Sequence, residues 1–183
     1  MMRRLFLAVV LALPLVVAAL TLGPAQAQAQ VTIVRSPSTA PTLGTTIRGS
    51  SATTFSISTS GVVTRTAGDA IRMGGDTVTV PTIYIDCGLL NLKDLCALRR
   101  IRVRIQPAGG SGPATITRFR VGNLQGTSFS NNRPTESASV TFDLQPIGVF
   151  GGASFNLGMD VVLQAGAASG QHTFNYTVTA ELM

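Results

Sequence analysis

Five arginines occupy alternating positions in two β-like segments of this sequence. They are Arg100, Arg102 and Arg104 in the segment 99–106 (RRIRVRIQ), and Arg118 and Arg120 in the segment 114–121 (ATITRFRV). Alternate residues of a strand share a face at a spacing of about 6.6 Å. If the two segments pair, the five guanidinium groups would share one sheet face.

Such a face would suit a polyanion, for example an acidic glycan or lipopolysaccharide phosphate, because guanidinium groups bind carboxylate and phosphate in a bidentate way. The alternative is an exposed face that keeps the protein soluble or protects a sheet edge from aggregation. No aromatic residues of the kind that stack on single-stranded bases are interleaved with the arginines, so nucleic acid is not an expected partner.

The chain has two cysteines, Cys87 and Cys96. In an exported chain, a closely spaced even pair predicts a disulfide. Closing so short a loop should stabilise the fold by roughly 2.5–3 kcal/mol on the loop-entropy model. A redox or metal pair is the alternative, but metal sites usually need four ligands, and the one histidine, His172, lies far along the chain.

Catalytic groups are sparse. Any Ser-His-Asp arrangement must be built around His172, which stands in a strand-like GQHT segment and not beside a G-x-S-x-G motif. The aspartates are scattered singly, without the pairing of a glycosidase or the spacing of a calcium loop. We therefore expect a protein that is not an enzyme and has no metal or cofactor; a secreted hydrolase that depends on His172 is a third possibility.

The start of the chain has the order of a secretory signal peptide. Arg3 and Arg4 precede an apolar run from Leu5 to Leu22, and Ala25-Gln26-Ala27 is a small-x-small cleavage site. A transmembrane anchor is the alternative, since about 20 apolar residues span a bilayer. The cleavage site favours removal of residues 1–27, which predicts an exported protein, periplasmic, at the cell surface or extracellular.

Residues 28–183 would then form one domain without a transmembrane segment. Two of the 14 basic residues belong to the leader, so this part keeps a net charge of +4 against its eight carboxylates. It is rich in Thr, Ser, Gly and Val and has no Trp, which favours strands and tight turns.

Alternating hydrophobicity predicts about eight to ten short strands, separated by turn signals. The clearest is the stretch from Gly170 to Met183, where apolar residues from Phe174 to Leu182 occupy every second position. Two segments around Ser60-Gly61 predict a hairpin, and Cys87 to Cys96 is the only helical candidate. The predicted fold is all-β, an immunoglobulin-like or pilin-like sandwich of two antiparallel sheets.

Two stretches resemble the bacterial domain-of-unknown-function family 4402. The opening LGTTIRG (43–49), followed by Phe55-Ser56-Ile57, is similar to the family's LxFGxxxxG opening, and the stretch from Leu163 to Val178 is similar to its closing motif. The cysteine loop and the arginine strand depart from the family pattern. The resemblance implies an exported, pilin-like or immunoglobulin-like sandwich and brings no catalytic residues.

A wider resemblance to fimbrial subunits implies strand addition, in which one subunit receives a strand from its neighbour. Val31 and Ile33 could begin such a donor strand; alternatively, they form the first strand of a self-complete sandwich. The sequence thus predicts a surface or pilus-like structural subunit that associates with itself or with other subunits. The second hypothesis is a secreted or periplasmic module that binds acidic glycans or lipid phosphates through the arginines.

Overall fold

A computed structural model describes residues 31–74, 78–88, 96–109 and 112–183. The predicted leader lies outside these residues. The described chain forms twelve strands and contains no helix. The strands are β1 (Thr32–Ser36), β2 (Thr42–Ile47), β3 (Thr53–Ile57), β4 (Val63–Ala67), β5 (Ile71–Arg72), β6 (Thr82–Asp86), β7 (Ile101–Pro107), β8 (Ala114–Gln125), β9 (Val140–Leu144), β10 (Ala153–Leu163), β11 (Gly170–Thr173) and β12 (Tyr176–Leu182).

The prediction of an all-β, sandwich-like antiparallel fold is confirmed. The described residues form twelve strands, where eight to ten were predicted, and the hydrogen bonds of these strands define three sheets where two were predicted. The C-terminal stretch that alternates in hydrophobicity forms two strands and not one. Gly170–Thr173 pairs with β2, whereas Tyr176–Leu182 pairs with β7. The short strand Ile71–Arg72 was not predicted, since two residues carry no periodic signal.

The largest sheet has six strands and is built around β10. One edge of β10 pairs with β6 through its first residues and with β3 through its last, while the other edge pairs with β8 along its length. Strand β1 extends this sheet beyond β6, and β4 extends it beyond β3. Strand β10 can fill this central place because its alternate residues from Ala153 to Leu163 are apolar and buried.

The two smaller sheets have three strands each, in the orders β11-β2-β5 and β12-β7-β9. The chain passes from one to the other at Phe174 and Asn175. Phe174 and Tyr176 are both buried, so the inward face predicted from the alternation is correct on either side of the change of sheet.

One continuous hydrophobic core contains side chains from all three sheets. Phe155 of β10 meets Phe142 of β9 edge to face with ring centroids 5.6 Å apart, and Phe119 of β8 meets Tyr176 of β12 at 6.1 Å. These ring contacts connect the six-stranded sheet to the sheet that contains β7, which is the packing expected of layered β structure.

The predicted disulfide between Cys87 and Cys96 is confirmed, with the two Cα atoms 6.2 Å apart and both residues buried. The interior of the helical candidate, residues 89–95, lies outside the described residues. Disulfides persist mainly outside the cytoplasm, so this bond is compatible with an exported protein. Within the described ranges, no helix is long and apolar enough to cross a bilayer.

The predicted hairpin is also confirmed, because β3 and β4 pair antiparallel across Ser60-Gly61. The predicted pairing of β7 with β8 is wrong. Strand β8 pairs with β10, while β7 lies between β12 and β9 in a different sheet. The segment between Pro107 and Ala114 therefore carries the chain from one sheet to another.

Candidate functional site

The five arginines do not share one sheet face. Arg102 and Arg104 lie on β7, with Arg100 just before it, whereas Arg118 and Arg120 lie on β8 in the six-stranded sheet. The expected face of five guanidinium groups required β7 and β8 to be neighbours. The structure instead divides the arginines into two groups with different surroundings.

On β7, the arginines alternate with carboxylates of the flanking strands. Arg102 is opposite Glu181 of β12 and Asp143 of β9. Its guanidinium binds Asp143 in a bidentate way, with N–O distances of 2.8 and 3.0 Å, and this hydrogen-bonded contact lowers the pKa of the Asp143 carboxyl. Arg104 lies 3.3 Å from Glu181, and both side chains are exposed.

On β8, Arg120 is the centre of a largely buried polar cluster. Its Nη2 lies 2.7 Å from Oδ1 of Asp160, and its Nε lies 3.3 Å from Glu136. Its Nη1 donates hydrogen bonds to the Ser56 hydroxyl and to the Ile57 carbonyl oxygen. Every nitrogen of this guanidinium has a protein partner, so Arg120 acts as a structural connection among β3, β8 and β10.

A glycine makes room for this arginine. Gly158 of β10 is the cross-strand partner of Arg120, and a Cβ atom at Gly158 would lie 2.7 Å from Cγ of Arg120 and 2.7 Å from the Ile57 carbonyl oxygen. The arginine stem therefore covers the glycine backbone and reaches Asp160 beyond it. Arg118 approaches the same carboxylate, with its Nε 3.5 Å from Oδ2.

Sequence reasoning missed the four carboxylates that neutralise the arginines: Asp143, Glu181, Asp160 and Glu136. Part of the signal was present, since Asp143 and Asp160 occupy outward positions in their alternating strands. Among the described residues, Arg100 is the one candidate arginine without a carboxylate at ion-pair distance. Binding of an acidic glycan or of lipopolysaccharide at the arginines stays a prediction. The pairing of four of the five arginines with carboxylates does not strengthen it.

The candidate donor residues Val31 and Ile33 lie at the N-terminal edge of the large sheet. Val31 is buried, Ile33 is half-buried against the core, and four of the five residues of β1 are exposed. Strand β1 pairs antiparallel with β6 of its own chain, from Thr32 opposite Asp86 to Ser36 opposite Thr82. The single chain thus supplies its own edge strand.

His172 lies on the exposed edge strand β11, where its Nε2 is 2.8 Å from the Ala168 carbonyl oxygen. Within the described ranges, no three His, Cys, Asp or Glu side chains form a group that could hold a metal ion. The absence of enzymatic activity stays a prediction.

Asp69 holds two connecting segments together. Its carboxylate accepts hydrogen bonds from the backbone amides and the hydroxyls of Ser50 and Ser51, at 2.6–2.9 Å. These four donors hold the pKa of Asp69 well below its usual range. The contact fixes the connection from β2 to β3 against the turn from β4 to β5.

We expect Asp69→Asn to remove part of the acid sensitivity of folding. Because the folded pKa is lower than the unfolded value of about 3.9, the carboxylate stabilises the fold above that pH, and the contribution is lost as the pH falls towards the folded pKa. Denaturant unfolding between pH 7 and pH 2 should show a steeper acid loss for the wild type than for the variant. Equal pH slopes would contradict this role of Asp69.

Comparisons of the chain with protein-family models, with curated proteins and with solved structures find no match. The resemblance to family 4402 therefore stays a prediction.

Proposed function

We propose that the protein is an exported structural subunit of a surface polymer, and that neighbouring copies are joined by exchange of β1. In the polymer, β1 of one copy pairs with β6 of the next and reproduces the register seen within the single chain. The observation that carries the proposal is the exposure of β1. This strand lies at the edge of the large sheet, and four of its five residues are exposed.

The receiving edge favours such an exchange. Ile83 and Ile85 of β6 are fully buried, so β6 belongs to the core whether or not its partner strand comes from the same chain. Swapping an identical element between copies replaces each contact by its equivalent, which makes the exchange inexpensive in free energy. Apart from Arg35, which lies over the Tyr176 ring and donates a hydrogen bond to its carbonyl oxygen, the side chains of β1 make few contacts with the core. A strand with few buried side chains opens more readily than one with a buried face.

The position of β1 also supports the proposal. It begins a few residues after the predicted cleavage site, so processing would leave it at the free N-terminal end of the mature chain. Export to the periplasm or the cell surface belongs to the same proposal; it is compatible with the Cys87–Cys96 disulfide.

The test uses Val34 and Tyr84, which are cross-strand partners on the exposed face of β1 and β6. Val34→Cys and Tyr84→Cys are made as separate variants, mixed, allowed to assemble and oxidised. Exchange predicts concentration-dependent oligomers and a disulfide between the two variant chains, identified by non-reducing mass spectrometry. Deletion of residues 28–36 should abolish these oligomers.

The matched control is the pair Arg104 and Thr141, which are cross-strand partners on β7 and β9. Strand β7 is the central strand of its sheet, and β9, although at the edge, lies between other strands along the chain and not at its N-terminal end. Arg104→Cys and Thr141→Cys should therefore form a disulfide only when both are in one chain. A mixture of the β1 and β6 variants that stays monomeric, with the Val34–Tyr84 bond forming only in the double variant, would refute the proposal.

A further inference from the structure

One end of the molecule has a loop tip that is left outside the core. The connection from β9 to β10 contains Gly148-Val149-Phe150-Gly151, in which Phe150 is 81% exposed and Val149 is 40% exposed. Gly148 and Gly151 have φ angles of 76° and 86°, a left-handed conformation that glycine adopts at little cost. The backbone thus projects an aromatic and an aliphatic side chain away from the sheet.

Leu98 and two arginines lie at the same end. Ile101 of β7 is opposite Leu144 of β9, so the residues before β7 adjoin the start of the Phe150 loop. Leu98 is 74% exposed. Arg99 donates hydrogen bonds to the Leu182 carbonyl oxygen and to a main-chain oxygen of Met183, and no Asp or Glu side chain among the described residues lies at ion-pair distance from it.

Arg100 is exposed at this end and has no carboxylate at ion-pair distance within the described ranges. Asp86 is the nearest acidic residue along β6, whose end adjoins β10 through the pair Ile85 and Ala153. Its Oδ1 accepts a hydrogen bond from the Gly88 amide at 2.7 Å. Asp143 is close enough to be attracted by Arg100, but its carboxylate is already paired with Arg102. The side chains of Arg99, Arg100 and Asp86 together carry a net charge of +1 beside exposed apolar side chains.

We propose that this end, the tip formed by Leu98, Arg99, Arg100, Val149 and Phe150, docks on the surface of an anionic phospholipid bilayer. Phe150 and Leu98 enter the boundary between headgroups and acyl chains, where apolar side chains are removed from water. Arg99 and Arg100 stay at the level of the phosphates, which attract basic side chains. The start of β1 lies at the same end of the molecule, since Thr32 is opposite Asp86. None of the five tip residues belongs to β1 or β6, however, and the proposal does not depend on strand exchange.

Charge favours a lipid over a second copy of the chain as the occupant. Residues 28–183 carry a net charge of +4, because two of the 14 basic residues lie in the leader and eight carboxylates follow it. A second copy is therefore cationic and is repelled by Arg99 and Arg100, whereas an anionic bilayer attracts them. Exposed aromatic and aliphatic side chains at a tip can insert into the apolar part of a bilayer, which does not require a complementary pocket as a protein partner would.

The test measures co-sedimentation of residues 28–183 with vesicles of phosphatidylglycerol and phosphatidylcholine. Binding is expected to these vesicles, to be weaker with phosphatidylcholine alone, and to fall with added salt. Phe150→Ser should weaken binding about tenfold or more, from the loss of a buried aromatic side chain. Arg100→Gln should weaken binding about fivefold, which is the contribution expected from one basic residue near an anionic membrane surface.

Ile71→Ser is the matched control, since Ile71 is 52% exposed on β5, away from this tip, and its replacement should leave binding unchanged. The chain has no Trp, so Phe150→Trp also provides a single fluorescent reporter whose emission should shift to the blue on anionic vesicles. Ile71→Trp should show no shift.

Three results would overturn the proposal. They are absence of binding to anionic vesicles, equal losses for Phe150→Ser and Ile71→Ser, and a change in self-association of Phe150→Ser without a change in vesicle binding. The last result would identify a second copy as the occupant of the tip.

Discussion

Replacing Asp160 with alanine is expected to lower the free energy of unfolding by about 3 kcal/mol, near the lower end of the range for breaking one side of a buried ion pair. The side chains of Arg120 and Asp160 are only 14% and 13% exposed. Without the Asp160 carboxylate, the Arg120 guanidinium would stay in its enclosed position with the more exposed Glu136 as its one remaining carboxylate partner among the described residues. Denaturant unfolding at neutral pH measures the loss.

Two comparisons separate this effect from a general sensitivity of the sheet. Glu181→Ala removes the partner of Arg104 in an exposed pair and should cost less than about 1 kcal/mol. The double variant Asp160→Ala, Arg120→Met should recover much of the stability lost in the single variant, because no buried charge remains. If Asp160→Ala costs no more than Glu181→Ala, the Arg120 cluster does not have the structural importance assigned to it.

The second large effect is expected from Phe155→Ala, with a loss of about 3–5 kcal/mol. Phe155 is fully buried on the central strand β10, and its ring contacts Phe142, which in turn contacts Phe129. Truncation would leave a cavity between two sheets, and the neighbouring strands cannot close it without breaking their own pairing. Thermal or denaturant unfolding gives the magnitude.

Phe150→Ala is the matched control because it removes the same side chain five positions away. The Phe150 ring lies outside the core, so this variant should change the free energy of unfolding by no more than about 0.5 kcal/mol. Similar losses for the two phenylalanines would mean that the core does not run through Phe155 as described.

Local patterns in the sequence were sufficient for much of the fold. The alternation from Phe174 to Leu182 gave the correct inward face, because side-chain direction in a strand depends only on neighbouring residues. The hairpin of β3 and β4 was predictable for a similar reason. Its two strands are joined by a turn at Ser60-Gly61, and Gly61 has a φ of 90°, which glycine adopts readily.

The order of strands in the sheets was not predictable in the same way. Strands β7 and β8 are consecutive and both alternate, yet β8 pairs with β10, from Ala114 opposite Leu163 to Gln125 opposite Ser154. The partner of β8 is the long strand whose buried face matches its own. That strand, β10, lies about 40 residues further along the chain. The carboxylate partners of the arginines were missed for this reason, since Asp160 reaches Arg118 and Arg120 only through the pairing of β8 with β10.

The late position of β10 governs when this protein can fold. Its partners β3, β6 and β8 all precede it in the chain. During synthesis the apolar faces of these strands therefore stay exposed until residues 153–163 have been made. Pairings between distant segments also form slowly. A nascent chain that has not yet reached β10 is therefore prone to aggregate, and we expect it to need a chaperone to hold it until β10 has been made.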